Sequence, residues 1–185
     1  MPIQLDATSS TLQEQIENDC RVDLSCCYEC GKCSGGCSTA YLMDYTPRQV
    51  IQLIKLGAKE ALLQSKAIWV CVSCHLCQDR CPAAIDIPRI MDYLREMSCG
   101  EGVVSETNHV FLFNKLMLDH VFKRGRVSEA ELALRFNLKT GQYTKDVKLG
   151  QRLFFKGKMM PFVPGVRDRR AVRKLFKLYR PGKEG

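Results

Sequence analysis

The sequence has no apolar run long enough to cross a bilayer. Its most apolar long stretch, "VFLFNKLMLDHVF", is broken by Asn114, Lys115 and Asp119, well short of the ~20 residues a span requires. It opens "MPIQLDATSS", with neither the basic nor the apolar region of a secretory signal, so export is not expected. A G-x-G-x-x-G fingerprint is also missing, which argues against a dinucleotide cofactor. Strand-type alternation and Asn-Gly hairpin signals are absent around the cysteine-rich stretches, which argues against a sheet. The expectation is a cytoplasmic, mainly α protein. A hydrophobic content of 45% over 185 residues is enough for a packed core. In that reducing compartment, eleven cysteines point to metal rather than to disulfides.

Eight of the cysteines form two copies of one pattern. "CYECGKCSGGC" (27–37) spaces Cys27, Cys30, Cys33 and Cys37 by two, two and three residues, and "CVSCHLCQDRCP" (71–82) spaces Cys71, Cys74, Cys77 and Cys81 identically. This is the spacing of ferredoxin-type [4Fe–4S] ligation, in which three thiolates from one loop wrap a cubane and the fourth lies past a turn. In two-cluster ferredoxins that fourth cysteine serves the other cluster. Carried over residue by residue, the rule gives a first cluster on Cys27, Cys30, Cys33 and Cys81, and a second on Cys71, Cys74, Cys77 and Cys37. Structural zinc is the competing reading, but zinc sites usually join two C-x2-C pairs over a longer spacer rather than three thiols at x2 intervals, twice. Gly31, Gly35 and Gly36 suit a loop that wraps closely around a metal cube. Cys26 is one residue out of register and Cys20 and Cys99 lie outside both runs, so the three read as buried structural thiols. His75 lies inside the second run, where four cysteines already complete a site, and reads as exposed or as a donor toward a cluster sulfur.

The rest of the chain reads as helices. Ser10 and Gln13 are spaced as a capping box before the first run. In the 33-residue spacer, Thr46 caps a helix with Pro47 at its first position, Val50, Ile51 and Ile54 share a face, and Gly57 stops it. "AKEALLQS" forms a second short helix. After the second run, Asp86 caps a helix that turns Ile90, Met91 and Leu94 inward and ends at Gly100. "ETNHVFLFNKLMLDHVFKRG" and "SEAELALRFNLKTG" read as a helical hairpin, with Ser128 and Glu131 spaced as a capping box. "YTKDVKLGQRLFFKGK" is a weak helix and "MMPFVPG" a proline-punctuated loop; "VRDRRAVRKLFKLY" is a basic helix with Val172, Leu175 and Phe176 on one side.

The two runs, their helical spacer and the helix "IPRIMDYLRE" resemble the alpha-helical ferredoxin module found in iron–sulfur subunits of succinate dehydrogenase, fumarate reductase and anaerobic respiratory oxidoreductases. The wording of the first run and the basic helical extension look most like the family of iron–sulfur C subunits of heterodisulfide reductases from methanogenic archaea. The close resemblance covers about residues 20–100, and Ser38 departs from it by standing where a proline usually follows the fourth cysteine. The resemblance implies an alpha-helical ferredoxin-like domain over residues 1–100, binding two [4Fe–4S] clusters. A helical, basic extension over 101–185 would follow it, suited to subunit docking.

It also implies a role in the flavin-based electron bifurcation complexes of methanogenesis, some of them hydrogenase-linked. There such an iron–sulfur protein passes electrons from a flavin subunit to a catalytic subunit, which reduces the coenzyme M–coenzyme B heterodisulfide. No residue of this chain is expected to be catalytic. The paired Cys-Cys-Gly motifs of the family's catalytic subunit are missing, since Tyr28 follows Cys26–Cys27.

Charge is uneven: residues 1–100 carry 9 Lys+Arg against 12 Asp+Glu, and 101–185 carry 19 against 8, for −3 and +11 of the formal +8. Two clusters with their thiolates, at about −2 each, bring that total toward about +4. Phe154, Phe155, Phe162, Phe176 and Tyr179 interleave with the basic residues of the tail, which favours a docking segment over a solvated face. Two alternatives stand beside the electron relay. One is the equivalent subunit of a sulfur-oxidising heterodisulfide-reductase-like or glycerol-3-phosphate dehydrogenase system; the other is a nucleic-acid-binding iron–sulfur protein. The expected partners are the flavin and catalytic subunits of heterodisulfide reductase, with no nucleic acid and no membrane span.

Overall fold

The structure, a computed structural model, describes residues 9–103, 108–143, 147–157 and 164–178. The described residues form helices and turns with no strand among them, as the cysteine-flanking sequence predicts. The chain divides into two compact units, residues 1–105 and 106–185.

The first unit contains α1 (Ser9–Cys20), α2 (Lys32–Gly35), a 3-10 turn (Ala40–Leu42), α3 (Pro47–Lys55), α4 (Lys59–Leu63), α5 (Ala67–Val70), α6 (Leu76–Asp79) and α7 (Ile87–Gly100). Its core is the set of apolar faces that the helical period places together. Ile16 and Leu24 pack with Val50, Ile51 and Ile54 of α3, Leu62 of α4, Ile68 of α5, and Ile90, Met91 and Leu94 of α7. Each such side chain contributes about 1.5–3 kcal/mol through burial. α7 is the hub, packing against α1, α4, α5 and α6.

Polar groups fix the connections between these helices. The Gln49 side-chain carbonyl accepts from the Thr46 amide and hydroxyl, both at 2.9 Å, and Asp86 accepts from the Arg89 amide at 3.1 Å. Both helix starts fall where the sequence places them. The Ser10 side chain lies outside the described residues; Gln13 donates to Glu17 at 3.0 Å. Glu17 in turn accepts from the Leu24 amide at 2.8 Å, which ties the end of α1 to the approach of the first cysteine run. α3 stops at Gly57 as expected. α7 ends at Gly100, but the left-handed residue that closes its last turn is Gly102, with the Val103 amide returning to the Ser98 carbonyl at 3.1 Å.

Asp44 does what no local pattern announces. Its carboxylate accepts from Ser65 Oγ at 2.7 Å and from the amides of Lys66 at 2.8 Å and Ala67 at 2.9 Å, capping α5 from across the spacer. Burial opposes its charge, but these hydrogen bonds outweigh it and hold its pKa below the ordinary carboxylate value.

The second unit is built on the hairpin of α8 (His109–Arg124) and α9 (Glu129–Thr140), followed by α10 (Val147–Phe155) and α11 (Arg169–Leu178). Leu112, Leu116 and Leu132 are its buried centre, with Met117, Val127 and Phe136 against them. The expected Ser128–Glu131 capping box is not formed. Ser128 Oγ is buried without a hydrogen-bond partner, and the Glu131 carboxylate, which in the box would accept from the Ser128 amide, is taken by Arg124 and Arg135, both at 2.7 Å, with His120 at 3.4 Å. Two positive charges outcompete a single neutral amide for it. A cap does form at the start of α8, where no capping box marks it: Asn108 accepts from the amides of Val110 and Phe111.

α11 is the expected basic helix, capped by Asp168, which accepts from the Ala171 amide at 2.9 Å. Its Phe176 meets Phe122 of α8 edge-on at 5.6 Å, so this ring serves the chain's own packing rather than standing ready for a partner. Phe162, Tyr179 and the side chain of Phe154 lie outside the described residues.

Gly125 ends α8 at φ +79°, and a Cβ there would stand 2.1 Å from Val166 Cγ2. Gly125→Ala should therefore cost more than the about 1–2 kcal/mol of a left-handed alanine alone. The loss should appear as faster amide hydrogen exchange in α8 and α9, with the amides of α7 unchanged. Unaltered exchange in the hairpin would contradict this packing.

Candidate metal centres

The two cysteine runs share one backbone design. In the first, Glu29 (φ 54°) and Gly31 (φ 76°) turn left-handed before α2; in the second, Ser73 (φ 48°) and His75 (φ 62°) do so at the same register before α6. The amides of Ser34 and Gly35 return to the Gly31 carbonyl at 3.0 and 2.9 Å, and those of Gln78 and Asp79 to the His75 carbonyl at 2.9 and 3.0 Å. Each fourth cysteine closes the same way, Cys37 on Ser34 at 3.2 Å and Cys81 on Gln78 at 3.0 Å.

Gly31 meets the left-handed requirement without strain. His75 meets it with its own side chain, its Nδ1 lying 2.9 Å from Gln78 Oε1. That accounts for a histidine inside the run: it is exposed and locally paired. Ser38, which departs from the usual proline, leaves the turn intact, because the Ala40 amide reaches the Cys37 carbonyl at 3.4 Å much as the Ala84 amide reaches Cys81 at 3.0 Å.

These turns gather the thiols around two clefts. The first, of about 380 Å³, is lined by Cys27, Cys30 and Cys33 together with Cys81 from the other run. The second, of about 350 Å³, is lined by Cys71, Cys74 and Cys77 together with Cys37. The fourth cysteines have changed places. For this exchange the runs must lie side by side, and Gly36 permits it: a Cβ there would stand 2.7 Å from the Arg80 side chain. Ile87, at the head of α7, borders both clefts.

Each cleft is bordered by four thiols, the complete donor set of a [4Fe–4S] site. Burial pushes the Cys77 thiol up to about 12, with the neighbouring Cys71 adding to it, and burial also raises Cys33. Metal binding must expel those protons, and the metal's charge supplies the drive.

Cys20, Cys26 and Cys99 line neither cleft. Cys20 is buried, which raises its thiol to about 11, and its sulfur faces the Arg89 carbonyl at 4.0 Å. Cys26 is exposed and donates to Asp23 at 3.2 Å, an interaction that raises its pKa. Cys99 is exposed too, so of the three thiols expected to be buried only Cys20 is.

Several residues that shape the clefts carry no sequence signal. Arg95 donates to the carbonyls of Ile68 and Cys71 and so anchors the start of the second run to α7. Arg48 flanks the first cleft. Hydroxyls stand near one sulfur of each set: Ser34 Oγ is 4.0 Å from Cys33 Sγ, and Thr39 Oγ1 is 3.6 Å from Cys37 Sγ.

This arrangement defines a helical two-centre thiolate module, and residues 26–86 match a family model described as a 4Fe-4S dicluster domain. The chain is further similar to the iron–sulfur C subunits of heterodisulfide reductases. One such relative is the iron-sulfur C subunit of the CoB–CoM heterodisulfide reductase of Methanopyrus kandleri, 24% identical over 59% of this chain and 57% of that protein. Another is the C subunit of the H(2):CoB-CoM heterodisulfide,ferredoxin reductase of Methanothermobacter thermautotrophicus, 28% identical over 60% and 59%. A third is the C subunit of the Ferredoxin:CoB-CoM heterodisulfide reductase of Methanosarcina acetivorans, 33% identical over 56% and 42%. The chain thus spans roughly half the length of these relatives. No helix among the described residues is long and apolar enough to cross a membrane.

The exchange of fourth cysteines gives a sharp expectation. Cys81→Ala should alter the spectroscopic signature of the centre bounded by Cys27, Cys30 and Cys33, and leave that of the Cys71–Cys74–Cys77 centre as in the parent protein. Damage confined to the Cys71 side would mean that each run closes on itself.

Proposed function

We propose that the chain is a cytoplasmic electron-transfer subunit of a CoB–CoM heterodisulfide reductase complex. In this reading Cys27, Cys30, Cys33 and Cys81 hold one [4Fe–4S] cluster, and Cys71, Cys74, Cys77 and Cys37 hold the other. The observation that carries it is the pair of adjoining clefts, each bordered by three thiols of one run and the fourth of its neighbour. Such clusters, when bound, accept and release single electrons. The residues of the chain do the rest: they hold the sulfurs, keep the two sites side by side across Ile87, and present the rim of each cleft to a partner.

The partners in this reading are a flavin subunit that delivers electrons and a catalytic subunit that spends them on the coenzyme M–coenzyme B heterodisulfide. The names of the relatives support the substrate, and the chain's own lack of a Cys-Cys-Gly pair supports a relay without catalysis. α11 suits docking on an acidic partner through Arg170, Lys174 and Lys177, which are exposed while Arg173 stands over Phe122 at 5.8 Å.

Anaerobically purified protein should contain about eight iron and eight sulfide per chain. Dithionite should reduce it, yet alone it should not reduce the heterodisulfide above background. Adding the flavin and catalytic subunits should bring turnover. Stoichiometric zinc without sulfide, or heterodisulfide reduction by the chain alone, would contradict the assignment.

A further inference from the structure

The two clefts differ most in the charge of their walls. Among the side chains that line the second, none is ionisable apart from its cysteines. Arg48, Lys32 and Glu29 line the first. We propose that Arg48 holds the first site at a higher reduction potential than the second, so that a single electron delivered to the chain settles on the side of Cys27, Cys30, Cys33 and Cys81. This rests on the reading of both clefts as [4Fe–4S] sites.

Reduction by one electron takes such a site, with its four thiolates, from about −2 to about −3, with no bond made or broken and no proton bound. A cation in the wall favours the more negative state, and does so more strongly the less water surrounds it. Lys32 and Glu29 are exposed and largely screened, and the Glu29 carboxylate is further drawn aside by Gln52 Nε2 at 2.8 Å. Arg48 is half-buried. Its backbone amide donates to Ser34 Oγ at 3.0 Å, and its Cδ lies 4.0 Å from where a Cβ on Gly31 would stand, so it is seated over the first run. Among the described residues no carboxylate pairs with it.

The hydroxyl and helix-dipole influences on the two sites nearly cancel, and the deeper burial of Cys77 than of Cys33 disfavours added negative charge at the second site, in the same direction as Arg48. One hydroxyl stands beside a sulfur in each, Ser34 at Cys33 and Thr39 at Cys37. Ile87, at the positive end of the α7 dipole, borders both. Arg80 sits against Gly36, next in sequence to a cysteine of each set, and lines neither cleft. Arg95 is the cation that reaches the second run, through the Cys71 carbonyl. Its charge is answered by Asp92 at 2.5 Å, and its other donors go to main-chain carbonyls.

The test is a redox titration of the assembled full-length chain against dithionite, followed by electron paramagnetic resonance, with Cys81→Ser used to assign the first site's signal. The parent protein should show two one-electron steps, the first site reduced at the higher potential. Arg48→Gln should lower that step by at least tenfold in the electron's partition between the sites, which is 59 mV for one electron, without moving the other. Arg48→Lys, which keeps the charge, should restore most of the difference, whereas Glu29→Gln, at a carboxylate that is exposed and held aside by Gln52, should move the first step far less than Arg48→Gln does. Should Arg48→Gln lose its iron, the order of the two steps in the parent protein and in Arg48→Lys decides the matter. Coincident steps in the parent protein, a first site reduced at the lower potential, or an Arg48→Gln protein whose steps keep the parent's separation would overturn the proposal. A parent protein lacking iron and sulfide would instead overturn the cluster reading itself.

Discussion

Cys37 and Cys81 each leave the run they follow in sequence and border the cleft of the other, and the surrounding structure is arranged to allow it. Two loops can trade a residue only if they lie side by side with their turns in matching register. The paired left-handed residues, Glu29 with Ser73 and Gly31 with His75, provide the register. Close approach is allowed at Gly36, whose missing side chain leaves room for Arg80. The spacer must then leave the first run and come back beside it. It does so as α3, α4 and α5, with Asp44 holding the start of α5 from 22 residues away.

α7 joins this local geometry to the packed core. Its apolar face is fully buried at Ile90, Met91 and Leu94, its Arg95 grips the carbonyls on either side of the approach to Cys71, and its first residue separates the two clefts. Tyr93 donates to Asp19 at 2.5 Å, so the end of α1, and through Glu17 the approach to the first run, is referred to the same helix. Sites for two centres are thereby fixed relative to one rigid element, which suits a relay whose rate depends on a constant distance between them.

The sequence made the helices and the eight cysteines legible because their determinants are local. A thiol spacing of two, two and three is set by how a short loop can wrap a compact group, and Thr46–Pro47 or Asp86–Pro88 announce a helix start within one turn. What was not legible depends on residues distant in sequence. Nothing near Asp44 marks it as the cap of a helix beginning at Ala67, and nothing near Arg95 marks it as an anchor for Cys71. The Ser128–Glu131 spacing misled for a different reason: Arg135, one turn along α9, and Arg124, at the end of α8, compete for the Glu131 carboxylate. Likewise Phe176 is periodic and exposed in sequence terms, but Phe122 of α8 meets it.

The central claim concerns which sulfurs share a centre, and iron-edge anomalous diffraction from crystals grown anaerobically addresses it directly. The account predicts two separate multi-iron peaks, one within bonding distance of Cys27, Cys30, Cys33 and Cys81, the other of Cys71, Cys74, Cys77 and Cys37. A map in which Cys37 joins Cys27, Cys30 and Cys33 around one centre, or in which the clefts hold single zinc ions, would contradict it.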